Sequence, residues 1–327
     1  MHISYNDITS IQNLCEAWSE FVRGKKHKKD VAEFSLNLSL NIYTLHMELK
    51  QKTYCHGGYH AFNIADPKPR NIHKATVRDR LLHHAIHRVL YPCFDTKFVH
   101  DSYSCRNSKG THRAIKRFEY FARKVSHNYT KQSWILKCDI RKFFANVDHA
   151  ILLAILKKHI VDDDILLLLR EVITSFGSGT KGKGLPLGNL TSQLLVNIYM
   201  NEFDQCAKHT LREKFYIRYA DDFIFLSVDK SSLANFLPKV EAFLSQKLKL
   251  SLHPDKVHIK TIGSGVDFLG WVHFPTHRIL RATTKRRMLE RVAGLEKDHP
   301  TVQSYLGLLK HGDTHKLQEK LLSFLKS

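Results

Sequence analysis

The stretch that most constrains this chain of 327 residues runs from Phe215 to Leu226, where two runs of β-branched and aromatic residues flank Asp221 and Asp222. Such runs around a short polar centre predict a β-hairpin with both aspartates at its turn. Adjacent carboxylates repel each other and lose hydration on burial, so we expect a cation to neutralise them. Magnesium suits the site, because hard divalent cations prefer oxygen ligands. An acidic turn that faces solvent is the alternative interpretation.

A third aspartate stands in a comparable setting upstream. An apolar run from Trp134 ends at Asp139, so a buried strand again leads into a carboxylate. If this strand lies beside the 216–228 hairpin in one antiparallel sheet, Asp139 and Asp221 converge on two shared magnesium ions. Two such ions support an in-line displacement at phosphorus.

The charge balance points to a polyanionic partner. Lys and Arg number 51 against 31 Asp and Glu, a formal excess of 20. Between residues 65 and 124, 14 Lys and Arg stand against 5 Asp and Glu. An excess of this size favours nucleic acid bound through its phosphates. A membrane surface is the competing interpretation, but no long uncharged apolar run or signal-peptide pattern appears, so we expect no membrane and a cytoplasmic protein.

Cysteines and histidines give weaker signals. The six cysteines show no CxxC spacing, which indicates reduced thiols and argues against a zinc ribbon. His83, His84 and His87 share a predicted helix at near-ligand spacing. Without the glutamate of an HExxH motif, they are better interpreted as helix-surface or RNA-facing groups.

Periodicity and turn residues give a mixed α and β order. We predict helices up to residue 50, a basic hairpin over 59–77, a helix over 78–90, a loop over 101–111 and a helix capped by Thr111. Further along, we predict helices over 149–158 and 163–176, a long helix opening within 184–193, a helix over 231–248, a strand pair at 268–271 and 279–281, and three short helices within 283–327.

Two polar segments have both an ordinary and a functional interpretation, and a third has a functional one. The basic hairpin is either a charged loop or a finger that folds over a phosphate-bearing ligand. The Gly184 to Gln193 segment is either a helix cap or a surface that lets the backbone approach something flat. In the 101–111 loop, Tyr103 and Arg106 offer a stacking ring and a bidentate phosphate ligand.

The ordered set of motifs resembles the fingers and palm of reverse transcriptases. It consists of the basic hairpin, Asp139 with Phe143-Phe144, Gly184-Leu185-Pro186-Leu187-Gly188, Tyr219-Ala220-Asp221-Asp222, Lys256 and Phe268-Leu269-Gly270. The resemblance covers about residues 60 to 275. It implies an α+β, right-hand polymerase fold, with a palm built on an antiparallel sheet with helices on one face. The implied divisions are 1–58 (N-terminal helical extension), 59–134 (fingers), 135–275 (palm, with inserted fingers helices 149–184) and 276–327 (a small helical thumb).

The same resemblance implies roles for individual residues. Asp139, Asp221 and Asp222, with the Ile140 carbonyl, would hold two Mg²⁺ ions, and Lys256 would stabilise the leaving pyrophosphate. The implied nucleotide-binding residues are Lys68, Arg70, Ile140, Phe143, Phe144, Gly188, Asn189 and Gln193, with Phe144 excluding a 2′-hydroxyl. The implied nucleic-acid-binding residues are Arg78, Tyr103, Arg106, Lys109, Lys285, Arg286 and Arg287.

Within the family, the chain resembles bacterial and phage enzymes of diversity-generating retroelements, because Leu187 and Ser192-Gln193 replace the commoner residues. This implies deoxynucleotide substrates, a template RNA and RNA–DNA duplex, error-prone copying of template adenines, and a basic, helical, oligomeric accessory protein. The short thumb leads us to expect no RNase H or endonuclease domain. A phage-defence polymerase and an RNA-binding scaffold with little polymerisation remain alternatives.

Overall fold

The computed structural model describes residues 3–65 and 69–325. These residues contain 14 α-helices and nine β-strands. The helices are α1 (Tyr5–Thr9), α2 (Ile11–Phe21), α3 (Lys29–Leu36), α4 (Leu38–Lys50), α5 (Val77–Asp95), α6 (Thr111–Val125), α7 (Phe143–Asn146), α8 (His149–Lys157), α9 (Asp163–Thr174), α10 (Leu190–Gln205), α11 (Lys230–Leu248), α12 (Ala282–Val292), α13 (Pro300–Leu309) and α14 (His315–Ser323). No helix of the described ranges is long and apolar enough to cross a membrane.

The strands form three antiparallel sheets. They are β1 (Tyr59–Ile64), β2 (Arg70–Ala75), β3 (Trp134–Asp139), β4 (Tyr216–Tyr219), β5 (Asp222–Ser227), β6 (His258–Thr261), β7 (Val266–Phe268), β8 (Trp271–His273) and β9 (Arg278–Leu280). β1 pairs with β2, the central sheet has the order β4-β5-β3-β6, and β7-β8-β9 form the third sheet. The predicted α+β class and the predicted pairing of the Asp139 strand with the 216–228 hairpin are confirmed.

The central sheet is buried on both faces. Phe223 and Phe225 point to one face, where they join α10 and α11 in the larger core cluster. Ile224 and Leu226 point to the other face, where they meet Phe118 of α6. This alternation follows from the two-residue period of a strand. We expected helices on one face only; α6 covers the second face because its apolar stripe matches the second set of strand residues.

Local signals place most element boundaries. Thr76 caps α5 by accepting from the Asp79 amide, so the second hairpin strand ends at Ala75 rather than at residue 77. α6 begins at Thr111 itself, and its N-cap is Gly110. The Gly184–Gln193 segment enters its helix only at Leu190. The predicted strand pair near residue 270 is a three-stranded sheet.

The C-terminal helices have a core of their own. Met288, Val292, Val302, Leu309 and Leu321 are buried together on α12, α13 and α14. Trp271 and Ile115 join this cluster from β8 and α6. The predicted three short helices are therefore confirmed, and they pack against the side of α6 and the β7-β8-β9 sheet.

Candidate active site

Strand register brings the acidic residues together at one end of the central sheet. In the β3–β5 ladder, Asp139 is the direct partner of Asp222. Asp221 occupies the β4–β5 turn, and its carbonyl accepts a hydrogen bond from the Ile140 amide at 3.1 Å. Ala220, just before it, has a φ of 56°, in the left-handed region that non-glycine residues rarely adopt. The backbone thus places all three aspartates at one end of the central sheet, and their convergence on two metal ions stays a prediction.

Two lysines engage the acids. Lys256 Nζ lies 2.9 Å from Asp139 Oδ1, and Lys137 Nζ lies 3.2 Å from Asp222 Oδ2. Lys137 also donates to the Asp267 carbonyl at 2.5 Å, so its ammonium is shared with the β7 strand. Lys256 was predicted from the motif order, whereas Lys137 is a lysine inside an apolar strand that the sequence analysis passed over.

Asp222 is in an unfavourable electrostatic environment. Burial raises the pKa of its carboxyl to about 7, the Asp221 and Asp139 charges add to this rise, and Lys137 opposes it. Its Oδ1 atom is buried and has no hydrogen-bond partner. A buried carboxylate oxygen without a donor is costly, and a nearby cation offsets that penalty.

The donor set of this site fits Mg²⁺. Three carboxylates and the strand-end carbonyl of Ile140 are all oxygen donors, the type that hard cations prefer. The orphaned Asp222 oxygen adds an acceptor in need of a cation. As the side chains stand, the described residues contain no ready-made group of three or more His, Cys, Asp or Glu for a metal. Lys256 and Lys137 occupy positions beside two of the acids instead.

The two phenylalanines after Asp139 have different surroundings. Phe143 is 3% exposed and belongs to the main core. Phe144 is only partly buried, and its carbonyl accepts from the Leu185 amide at 2.8 Å. Of the two predicted nucleotide contacts, only Phe144 is therefore partly accessible to a ligand, whereas Phe143 packs in the core.

The Gly184–Gln193 segment touches the finger hairpin, which consists of β1 and β2. The His73 amide of β2 donates to the Leu187 carbonyl at 3.0 Å, and Asn189 Nδ2 donates to the His73 carbonyl at 2.8 Å. Asn189 Oδ1 is buried without a hydrogen-bond partner. Gly188 has a φ of 100° and is exposed.

Other predicted nucleotide contacts flank this segment. Gln193 is partly exposed on the first turn of α10. Arg70 is exposed at the start of β2. Lys68 lies outside the described residues.

Four residues of the predicted nucleic-acid interface are engaged within the protein. Tyr103 is 3% exposed, so its ring is closed off from stacking on a base. Arg106 has a 6% exposed side chain, pairs with Asp95 and donates to two loop carbonyls. Arg78 pairs with Glu48 and lies over the Tyr54 ring. Lys109 donates to the His100 carbonyl. The structure gives these side chains internal partners, which the loop pattern did not reveal.

Two of the three predicted interface residues on α12 are exposed instead. Lys285 and Arg286 are exposed on α12, and Arg286 makes a long 3.8 Å contact with Glu290 one turn away. Arg287 is partly buried on the same helix. The first two thus remain available for phosphates.

Sequence reasoning missed a buried polar cluster beneath the acidic turn. Arg218 is fully buried and forms a bidentate pair with Asp204 of α10, at 2.7 and 2.6 Å. Tyr216 donates to the same carboxylate at 2.6 Å. The available signal was the arginine itself, since an arginine in the middle of an apolar strand is almost never buried without a partner.

Comparisons with known proteins show which family and which fold this chain shares. The model of the family described as "Reverse transcriptase (RNA-dependent DNA polymerase)" matches residues 64–273. Protein YkfC of Escherichia coli (strain K12) is 25% identical over 248 residues, covering 64% of this chain and 62% of its own length. The group II intron-encoded protein LtrA of Lactococcus lactis subsp. cremoris is 21% identical over 271 residues, covering 62% of this chain and 44% of its own. The chain thus spans less than two thirds of these relatives.

A solved structure supports the fold. Telomerase from Candida albicans superposes with a TM-score of 0.52 at 12% sequence identity, over 85% of this chain and 58% of that one. At that identity the likeness concerns the fold alone, and it confirms the expected right-hand polymerase architecture. The family match spans well over half of the chain and contains Asp139, Asp221 and Asp222. This chain therefore belongs to the reverse transcriptase (RNA-dependent DNA polymerase) family.

Proposed function

We propose that this protein is an RNA-directed DNA polymerase that extends a primer with deoxynucleotides on a template RNA. The observation that carries the proposal is the register of the central sheet, which sets Asp139 opposite Asp222 and puts Asp221 at the adjoining turn. A protein that only bound RNA would gain nothing from three carboxylates at one sheet end, since they repel phosphate and each other.

Asp139, Asp221 and the Ile140 carbonyl would hold two Mg²⁺ ions, with Asp222 beside them. Bound Mg²⁺ supplies charge neutralisation at the phosphates and a more acidic primer hydroxyl. Burial raises the pKa of Asp222 to about 7, so a bound divalent cation would favour its ionised form. Lys137, at 3.2 Å from Asp222 Oδ2, opposes that rise without cancelling it.

Residues around the acids would orient the nucleotide. Lys256, now paired with Asp139, would face the leaving pyrophosphate and give a proton to its oxygen. The partly exposed Phe144 would lie against the sugar and exclude a 2′-hydroxyl. Arg70, and with it Lys68, would meet the triphosphate. Gly188, Asn189 and Gln193 would line the floor under the templating base pair.

We also propose the division into an N-terminal helical extension (1–58), fingers (59–134), a palm (135–275) and a thumb (276–327). The hydrophobic cluster of α12, α13 and α14, which is separate from the main core and also includes Ile115, Trp271 and Leu280, supports a distinct thumb. Its exposed Lys285 and Arg286 would contact the RNA–DNA duplex through phosphates, which are the dominant and salt-sensitive targets of basic side chains.

The decisive experiment is primer extension on an RNA template with Mg²⁺ and deoxynucleotides. We expect Asp221→Asn to lower the extension rate by about a thousandfold, while RNA affinity is unchanged. The matched control is Asp255→Asn, which makes the same chemical change at a side chain that is 86% exposed. Extension by the Asp221 variant at the control's rate would refute the proposal, and binding without extension by the unmodified protein would favour an RNA-binding scaffold.

For the biological role, we propose the copying of a retroelement template RNA with errors at adenines, in the cytoplasm, together with a basic helical accessory protein. The support is the resemblance of Leu187, Ser192 and Gln193 to enzymes of diversity-generating retroelements. Sequencing of the extension products tests it. Errors concentrated opposite template adenines are expected, whereas faithful products would assign the polymerase to another bacterial lineage, such as phage defence.

A further inference from the structure

The guanidinium of Arg218 makes contacts in three directions inside the palm. Its Nε and Nη2 atoms donate to the two carboxylate oxygens of Asp204, at 2.7 and 2.6 Å. Nη2 also donates to Ser102 Oγ at 3.1 Å, and Nη1 lies 3.3 Å from Asn197 Oδ1. A third contact points toward the acidic turn, where Nη1 donates to the Ala220 carbonyl at 3.1 Å.

The Ala220 contact bears on the position of Asp221. Ala220 has a φ of 56°, so the peptide that joins it to Asp221 is held in an unfavoured conformation. The hydrogen bond from Arg218 fixes the carbonyl on one side of that peptide. On the far side, the Asp221 carbonyl accepts from the Ile140 amide, which follows Asp139. The first bond ties the turn to β4, which carries Arg218, and the second ties it to the end of β3, which carries Asp139.

Arg218 is itself held by the loop over 101–106. The Arg218 amide donates to the Asp101 carbonyl, and the Tyr103 amide donates to the Arg218 carbonyl, both at 3.0 Å. Arg106 braces this loop by donating to the Val99 and Ser102 carbonyls while pairing with Asp95 at the end of α5. A continuous set of hydrogen bonds thus runs from α5 through the loop to the acidic turn.

We propose that Arg218 is a positioning residue for the carboxylates, and that the 101–106 loop with Arg106 is the brace that holds it. The inference rests on the proposed polymerase function. Its physical basis is the planar, five-donor guanidinium, which satisfies Asp204, Ser102 and Ala220 at once. A merely structural ion pair would need only the contact with Asp204. Arg218 acts through the backbone of the turn and touches neither nucleotide nor metal.

The test separates positioning from folding with the variant Arg218→Lys. Lysine keeps the charge that Asp204 needs, so the interior retains a paired carboxylate. Its single ammonium is not able to reach Asp204 and the Ala220 carbonyl with the geometry of the arginine fork. The matched control is Tyr216→Phe, which removes a hydrogen bond to Asp204 from the same cluster and leaves the Ala220 contact intact.

We expect Arg218→Lys to lower kcat of primer extension about 10- to 100-fold, because a shift of about 1 Å in the reacting groups lowers the reaction rate steeply. KM for the deoxynucleotide and affinity for RNA should stay within about threefold of the unmodified protein. A second measurement does not depend on activity: hydrogen exchange at the Ile140 amide should become faster in Arg218→Lys. Tyr216→Phe should leave both kcat and this exchange unchanged.

Equal kcat in Arg218→Lys and the unmodified protein, or equal losses in both variants, would overturn the inference. If Arg218→Lys does not fold, the double variant Arg218→Met with Asp204→Leu removes both charges together, which a protein interior often tolerates. The same loss of kcat and faster exchange are then expected, and their absence would again overturn it. Failure of the unmodified protein to extend any primer would instead refute the proposed function, with the exchange measurement still deciding the role of Arg218.

Discussion

Two hairpins of this protein carry the charged groups that we propose bind one nucleotide, and they are anchored in different ways. The catalytic hairpin, β4 with β5, lies in a four-stranded sheet, and its flanking residues Tyr216, Ile217, Phe223 and Ile224 are fully buried. The finger hairpin, β1 with β2, is a separate two-stranded sheet, and Phe62 on it is 40% exposed. Two-stranded ribbons are marginally stable by themselves.

Because the two hairpins are anchored differently, different contacts set the positions of their charged side chains. The positions of the three aspartates are set by the strand register of the central sheet and by the hydrogen bond from Arg218 to the turn. The finger hairpin depends on its base and on a few contacts of His73 and Ile72 with residues 187–189. Substitutions that change the turn or the contact of Arg218 with it should therefore change the rate of chemistry. Substitutions along the 187–189 segment should change nucleotide binding.

Among substitutions that compare the two hairpins, the largest effect is expected for Ala220→Val at the β4–β5 turn. A β-branched residue at a φ of 56° costs about 2 kcal/mol, which corresponds to about a thirtyfold lower kcat if the turn shifts to relieve the strain. Single-turnover extension measures this loss. Ala220→Gly is the control, because glycine adopts this conformation freely and should keep the rate. If the valine variant extends primers as fast as the glycine variant, turn geometry does not limit chemistry.

A smaller effect is expected for Gly188→Ala under the finger hairpin. The new Cβ would stand 2.8 Å from Ile72 Cγ2, at a backbone φ of 100°. Displacement of β2 should raise KM for the deoxynucleotide by about tenfold, or about 1.4 kcal/mol. Adding Ile72→Ala removes the clashing methyl and should restore part of the affinity. Gly263→Ala, which meets open space, is the control; an unchanged KM in Gly188→Ala would break the link between this segment and the finger.

The smallest effect concerns the base of the finger hairpin, where His83 Nε2 lies 3.2 Å from His56 Nε2 and His56 stacks on Tyr59. Burial lowers the pKa of His83 to about 3, and the His56, His84 and Arg80 charges add to this. The unfolded chain binds a proton near pH 6.5, so stability is full above that pH and falls as the pH drops toward 3.

Between pH 7 and 5.5, His83 should account for about 1 kcal/mol of lost unfolding free energy. His83→Phe should remove that share in urea titrations at the two pH values. The same substitution at the exposed His209 serves as control and should keep the pH dependence of the unmodified protein. An identical pH dependence in His83→Phe and the unmodified protein would contradict the neutral, buried histidine.

The sequence by itself determined most of the elements and their order, although it gave no sign of β6, the fourth strand of the central sheet. Alternating apolar residues predicted the β3 strand and the β4–β5 hairpin, and the aspartates at their ends predicted a shared acidic site. These features depend on neighbours in sequence, because strand period and turn chemistry are local properties. The ordered motifs then indicated the family that the comparisons show.

Only the tertiary structure decided what each basic residue does. Arg106 and Lys285 both stand in basic, polar segments, yet one pairs with Asp95 in the interior and the other remains exposed on α12. Arg218 is buried because Asp204, on another element, lies within reach of its guanidinium. Burial of a charge depends on the partner that folding brings beside it, and that partner is set by packing rather than by the adjacent sequence.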